Sequence, residues 1–92
     1  MSRPTNSRPK FPSRQQIGRA YGAVLKSIRE NTTDLSQEQF AVDSETDRSY
    51  ISRLELGKGC PNFWILVKHA MTLDVDPVLL VSMTLARLRG EI

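Results

Sequence analysis

The chain has 92 residues, of which 39% are hydrophobic and 25% charged, which is typical of one globular domain. It contains no apolar run near the roughly 20 residues of a membrane span and no secretory signal. One cysteine, Cys60, and one histidine, His69, exclude an internal disulfide and leave little material for a metal site or for acid–base catalysis. We therefore expect a cytoplasmic binding module that is not an enzyme and needs no metal or cofactor.

The charge is distributed unevenly. Residues 1–29 contain seven Lys/Arg and no Asp/Glu, whereas residues 30–92 contain six Lys/Arg and ten Asp/Glu. The first segment thus carries +7 and the remainder −4, which gives the net charge of +3. A basic segment before a mildly acidic body indicates binding to a polyanion. Nucleic acid is a better candidate for this polyanion than a membrane surface. From charge alone, a solvated tail is an equal alternative.

Residues 1–12 are predicted to be a flexible basic arm, because they hold three of the five prolines and almost no apolar residues. Residues 13–92 are predicted to form the folded domain. The first helix begins after Ser13, which forms a capping box with Gln16, and extends to about Asn31. Gly18 and Gly22 inside this helix either weaken it or mark a close contact.

The second and third helices are short. Ser36 opens the second helix, again with glutamine three residues later. Residues 43–46 form a turn, Asp47 caps the third helix, and Gly57 ends it.

Asn62 caps a fourth helix, and Asp76-Pro77 starts a fifth that ends near Gly90. No alternating apolar run predicts a strand. The fourth helix is expected to face inward with Phe63, Leu66, Val67, Ala70 and Leu73. The pattern predicts an all-α bundle of five helices, with a core of Val24, Ile28, Phe40, Ala41, Ile51, Leu54, Leu66, Ala70, Leu73 and Leu79.

Two short helices joined by a tight turn describe a helix-turn-helix. The stretch Leu35 to Asn62 resembles the lambda-repressor-like (XRE, or Cro-like) DNA-binding family, and the similarity covers about residues 17 to 81. It rests on the motifs Leu35-Ser36-Gln37-Glu38, Phe40-Ala41, Tyr50-Ile51-Ser52, Leu54-Glu55 and Gly57-Lys58, and on Leu73-Asp74-Val75-Asp76-Pro77 further along.

Three positions depart from the family pattern. Glu45 stands where a glycine usually allows a left-handed backbone, so the turn is expected to take another shape. Thr46 replaces the Val or Ile that usually fills the core, and Asp74 replaces a common glycine.

The resemblance implies that the third helix enters the major groove of DNA. The residues then expected to read base edges are Arg48, Ser49, Ser52 and Arg53; arginine can bind guanine bidentately, and serine can donate or accept. Those expected at phosphates are Arg14, Ser36, Gln37 and Lys58. Arg29 and Glu55 are expected to form a structural ion pair. The alternatives are solvated charges at the arginines and simple capping support at Gln37.

The fifth helix carries more apolar residues than one buried stripe needs, which predicts a homodimer interface containing Trp64, Val81, Leu85 and Leu88. The alternative is that this surplus covers the first helix of the same subunit. We expect a transcriptional regulator, such as a phage repressor or a restriction–modification controller, that binds a short palindromic operator in double-stranded DNA. The competing interpretation is an antitoxin-like or adaptor module that holds a protein partner, with weak or no DNA binding.

Overall fold

The computed structural model describes residues 11–92, so the predicted arm, apart from Phe11 and Pro12, lies outside the described residues. The described residues form five α-helices and no strand, which confirms the predicted fold class. Their bounds are α1 Arg14–Thr32, α2 Gln37–Ser44, α3 Arg48–Glu55, α4 Phe63–Thr72 and α5 Pro77–Leu88. In this part of the chain, no helix is both long and apolar enough to cross a membrane.

Every helix begins where a polar side chain accepts a hydrogen bond from a backbone N–H of the first turn. The caps are those predicted: Ser13, Ser36, Asp47, Asn62 and Asp76. The capping box is complete at α1, where the Gln16 side chain also accepts from the Ser13 N–H at 2.8 Å. At α2 the predicted second half is missing, because the Gln39 amide instead donates to Asp43 at 2.7 Å.

All five helices contribute side chains to the core, and α1 packs against α3 and along α5. Most predicted core residues are buried, but two positions were wrong. Leu80 is fully buried while Leu79 is 50% exposed, because α5 turns Leu80 and Thr84 toward the bundle. Phe63 is 77% exposed, because it stands in the first turn of α4, beyond the buried stripe.

The glycines of α1 mark a close contact with the end of α3. A Cβ at Gly22 would overlap the carbonyl oxygen of Leu54, and one at Gly18 would overlap that of Gly59. Of the two expected explanations for these glycines, the structure supports the close contact. Their missing side chains let α1 lie directly against the backbone at the end of α3 and in the loop that follows it.

Arg29 of α1 and Glu55 of α3 form a bidentate ion pair across the same contact. Arg29 Nε donates to Glu55 Oε2 at 2.6 Å, and Arg29 Nη2 donates to Oε1 at 2.8 Å. The Arg29 Nη1 group donates to the carbonyl of Leu35 at 3.0 Å. The guanidinium therefore joins α1, α3 and the segment that leads into α2.

The turn between α2 and α3 keeps the left-handed backbone despite the glutamate, contrary to expectation. Glu45 has φ 54° and ψ 42°. Its N–H donates to Val42 at 3.1 Å, and its carbonyl accepts from Lys68 Nζ at 3.0 Å. These bonds compensate for the cost of a side chain at positive φ.

A buried histidine connects this turn to the core. His69 of α4 has no exposed surface; its Nδ1 lies 2.8 Å from the Tyr21 hydroxyl and its Nε2 lies 3.4 Å from the Thr46 hydroxyl. A neutral ring satisfies both contacts when Nδ1 accepts from Tyr21 and Nε2 donates to Thr46. At this position, where the family usually has Val or Ile, Thr46 therefore contacts the core through a hydrogen bond to His69.

The ion pair predicts a difference between two glutamates that approach the same guanidinium. Glu55→Ala should lower the free energy of unfolding by about 3–5 kcal/mol, because it removes the only buried carboxylate that pairs with the Arg29 charge among the described residues. Glu30 is the matched control: it lies 3.8 Å from Arg29 with its side chain 51% exposed, so Glu30→Ala should cost under about 1 kcal/mol. Urea unfolding of both variants measures this, and equal losses would contradict it.

The buried imidazole predicts that stability falls on mild acidification. Burial, aided by the charge of Lys68, lowers the pKa of His69 from 6.5 to about 4. On acidification the unfolded chain binds the proton at His69 before the folded protein does. The stabilising contribution of the neutral ring is therefore fully present above about pH 6.5 and is lost as the pH falls toward 4. Between pH 7.5 and pH 5 the free energy of unfolding should drop by about 2 kcal/mol. Urea titrations at both pH values test this; His69→Gln should flatten the dependence, and a flat wild-type profile would refute it.

Candidate nucleic-acid interface

The exposed side of α3 forms one wall of an open groove of about 560 Å³. All four predicted base-reading residues lie there, together with one residue of α2 and the cap of α3. The lining residues are Gln37, Asp47, Arg48, Ser49, Ser52 and Arg53. Tyr50, Ile51 and Leu54 instead contribute to the core or pack against it. Helix α3 therefore presents only polar and charged side chains to this groove.

Asp47 fixes the polarity of Ser49 in the groove. The Asp47 carboxylate caps α3 and also accepts a hydrogen bond from the Ser49 hydroxyl. This hydroxyl bond is the main factor that holds the pKa of Asp47 below its usual value. The Ser49 hydrogen is thereby committed, so its oxygen offers lone pairs to a ligand. The sequence indicated Asp47 as a cap, and its position in the groove went unrecognised.

A second cleft of about 570 Å³ adjoins the groove through Arg53, which lines both. Arg14 at the start of α1 and Lys58 in the loop after α3 also line this cleft, with no acidic residue among its lining. Three cations from separate elements thus face one space. The Gly57 backbone, at φ +76°, brings Lys58 to this place. Gln15 and Cys60 line the cleft too, and no motif in the sequence pointed to them.

The two remaining residues assigned to phosphates have partners within the protein. The Ser36 hydroxyl accepts from the Gln39 N–H at 3.0 Å as the cap of α2. The Gln37 amide Nε2 donates to Glu55 Oε1 at 2.9 Å. Gln37 therefore belongs both to the groove and to the ion-pair cluster behind it.

Away from the groove, α4 and α5 expose large apolar side chains. Trp64 is 67% exposed, with Lys68 Nζ lying 4.4 Å from its ring centroid. Val81 and Leu85 are 37% and 40% exposed on α5. Leu88 is half-buried and lines a cleft with Gln16 and Arg19 of α1, so it lies partly against its own subunit. Within residues 11–92, no group of three His, Cys, Asp or Glu side chains is placed to hold a metal ion.

Residues 25–80 match the helix-turn-helix family model. Over 38 residues the chain is 50% identical to the control protein C.MunI of Mycoplasma sp, an overlap of 41% of this chain and 51% of that protein. The chain thus spans about half the length of this curated relative.

Two solved structures share the fold. The restriction–modification controller protein C.AhdI from Aeromonas hydrophila superposes with a TM-score of 0.64 and 33% identity, over 68% of this chain and 94% of that one. The clp gene regulator ClgR from Corynebacterium glutamicum reaches a TM-score of 0.75 at 19% identity, over 90% of this chain and 83% of its own. With its five-helix bundle and a polar α3, the chain belongs to the XRE-like helix-turn-helix family of DNA-binding transcription regulators.

Proposed function

We propose that this protein binds a short palindromic operator as a homodimer, with α3 of each subunit in the major groove. The observation that carries the proposal is the groove wall of α3, where Arg48, Ser49, Ser52 and Arg53 face one space. Arginine donates to the O6 and N7 acceptors of guanine, Ser52 can donate or accept, and Ser49, whose hydrogen is bonded to Asp47, can accept. A wall of this composition suits hydrogen bonding to base pairs better than packing against an apolar partner.

The cleft beside α3 supports the same pose. Arg14 and Lys58 line it beside Arg53, and a DNA strand passing from the groove into the cleft would place its phosphates near the charges of Arg14 and Lys58. Contacts of this kind position a protein on the duplex without reading sequence.

We further propose that the protein is a controller of a restriction–modification system. This proposal rests on its likeness to C.AhdI, described as a restriction–modification controller, and to the control protein C.MunI. The candidate operator is then the DNA just upstream of the protein's own coding sequence.

The homodimer is proposed from the apolar side chains left exposed on α4 and α5. Val78, Val81 and Leu85 recur at helical spacing on one side of α5 and are 74%, 37% and 40% exposed. A second copy of the chain would cover them by two-fold symmetry and would place two α3 helices on half-sites about one helical turn apart. The same surface is also the observation that favours the competing function, an adaptor that holds a different protein.

The base-reading assignment predicts that Arg48→Ala and Arg53→Ala each weaken binding to the operator by about 1–3 kcal/mol and relax its base preference. Fluorescence anisotropy with the upstream DNA and with a scrambled duplex of equal length measures both effects. Arg89→Ala is the matched control: Arg89 pairs with Glu91 near the end of the chain, so this variant loses the same charge away from the groove. Equal losses on the scrambled duplex would identify phosphate contacts, and a wild-type protein with no preference for the operator would refute the proposed function.

The interface assignment predicts a dimer at micromolar concentration that Leu85→Glu converts to a monomer, because the substitution would bury an unpaired charge. Val42→Glu on α2 is the control, since Val42 is also an exposed aliphatic residue, at 66%, but lies outside the proposed interface. Sedimentation equilibrium gives the mass, and circular dichroism checks that helicity is retained. A wild-type monomer far above micromolar concentration would refute the dimer.

A further inference from the structure

The carboxylate of Glu55 accepts hydrogen bonds from two different elements. Arg29 of α1 donates to both of its oxygens, and the Gln37 amide of α2 donates to Oε1 at 2.9 Å. The Glu55 side chain is only 2% exposed. The cluster therefore lies behind the groove, and Gln37 is its only member that also lines the groove wall.

The charge of this carboxylate determines which way the Gln37 amide is turned. Burial alone would raise the pKa of Glu55, but hydrogen bonds from Arg29 and Gln37 and the positive charge of Arg29 together lower it below its usual value. An ionised carboxylate can only accept hydrogen bonds. The amide nitrogen of Gln37 must therefore face Glu55, and the reverse orientation would set two oxygens against each other.

The orientation leaves the Gln37 oxygen available for a ligand. Among the described residues, Gln37 Oε1 accepts no hydrogen bond, whereas Nε2 donates to Glu55. Gln37 shares the groove with Arg48 and Arg53, which can only donate. An acceptor held on the α2 side of the groove complements these donors.

We infer that Gln37 is a specificity-determining residue whose Oε1 accepts a hydrogen bond from the exocyclic amino group of a base in the major groove, and that Glu55 is the positioning residue that orients it. The inference rests on the proposed binding of α3 in that groove. The bases that offer such a donor there are adenine, through N6, and cytosine, through N4. A phosphate presents only acceptor oxygens, so it cannot be the partner of Oε1 and could bind Gln37 only through the second hydrogen of Nε2. This role differs from the phosphate contact that the family resemblance implies.

The test begins with a site selected by the full-length protein from random duplexes, followed by binding to each single base-pair variant. At every adenine or cytosine of the site, the base is then replaced by purine or 2-pyrimidinone, which lack the amino group. We expect one replacement to weaken wild-type binding about five- to tenfold, the size of one lost hydrogen bond. The same replacement should leave Gln37→Met binding unchanged, because the acceptor is already absent. Which analogue has the effect identifies the base as adenine or cytosine.

Gln39→Met is the matched control for this measurement. Gln39 lies on the same helix and its amide also donates to a carboxylate, that of Asp43, but it does not line the groove. Gln39→Met should keep the five- to tenfold response to the analogue. Glu55→Gln should reduce that response, since a neutral amide lets Gln37 turn its oxygen inward. A structural role alone would weaken binding to all sequences and would not be coupled to one amino group.

The outcomes separate the inference from the proposed function. If the wild-type protein selects no sequence, the proposed function fails and the inference fails with it. If it selects a site but Gln37→Met weakens every duplex by the same factor, with no amino group coupled to Gln37, the inference alone is overturned. If Glu55→Gln does not fold, the analogue measurement with Gln37→Met still decides.

Discussion

The structure depends on the contact between α1 and the end of α3. Gly22 allows the α1 backbone to reach the Leu54 carbonyl, and about two turns further along α1 the buried pair of Arg29 and Glu55 sets the register of the two helices. The same arginine holds the Leu35 carbonyl, which fixes where α2 begins. The spacing of α2 and α3, and hence the width of the groove between them, therefore depends on one guanidinium–carboxylate pair and on the two glycines of α1.

The sequence predicted the elements well because their signals are local. A capping side chain and a following apolar stripe are sufficient to place each helix, and all five caps lie where the residues indicated. The register of α5 was less accessible: residues 78–81 are all apolar, so periodicity could not choose between Leu79 and Leu80. Only the packing of α5 against α1 decides that Leu80 is buried.

The placement of the candidate residues in one groove could be predicted, but the direction of their hydrogen bonds could not. The matched motif placed Arg48, Ser49, Ser52 and Arg53 on one face, as the structure does. Whether Ser49 and Gln37 act as donors or acceptors depends on carboxylates beside them, and for Gln37 that carboxylate lies 18 residues away in Glu55. A pairing between separate helices leaves no periodic trace in one sequence. Likewise, His69 gave no signal of its burial, because its two partners lie in α1 and in the turn before α3.

The link from Tyr21 through His69 to Thr46 has a consequence for how this sequence can drift. An aliphatic residue at the turn would need nothing polar beneath it, whereas here the Thr46 hydroxyl lies 3.4 Å from Nε2 of a histidine ring that has no exposed surface. Valine at position 46 would leave that nitrogen without a partner, and replacing the histidine first would leave the Tyr21 hydroxyl without one, although Thr46 would keep its bonds to Ser44. We therefore expect these three positions to change together among homologues. Homologues should fall into two groups: one with an aliphatic residue at position 46, and one with the hydrogen-bonded tyrosine, histidine and threonine. Few homologues should combine features of both groups.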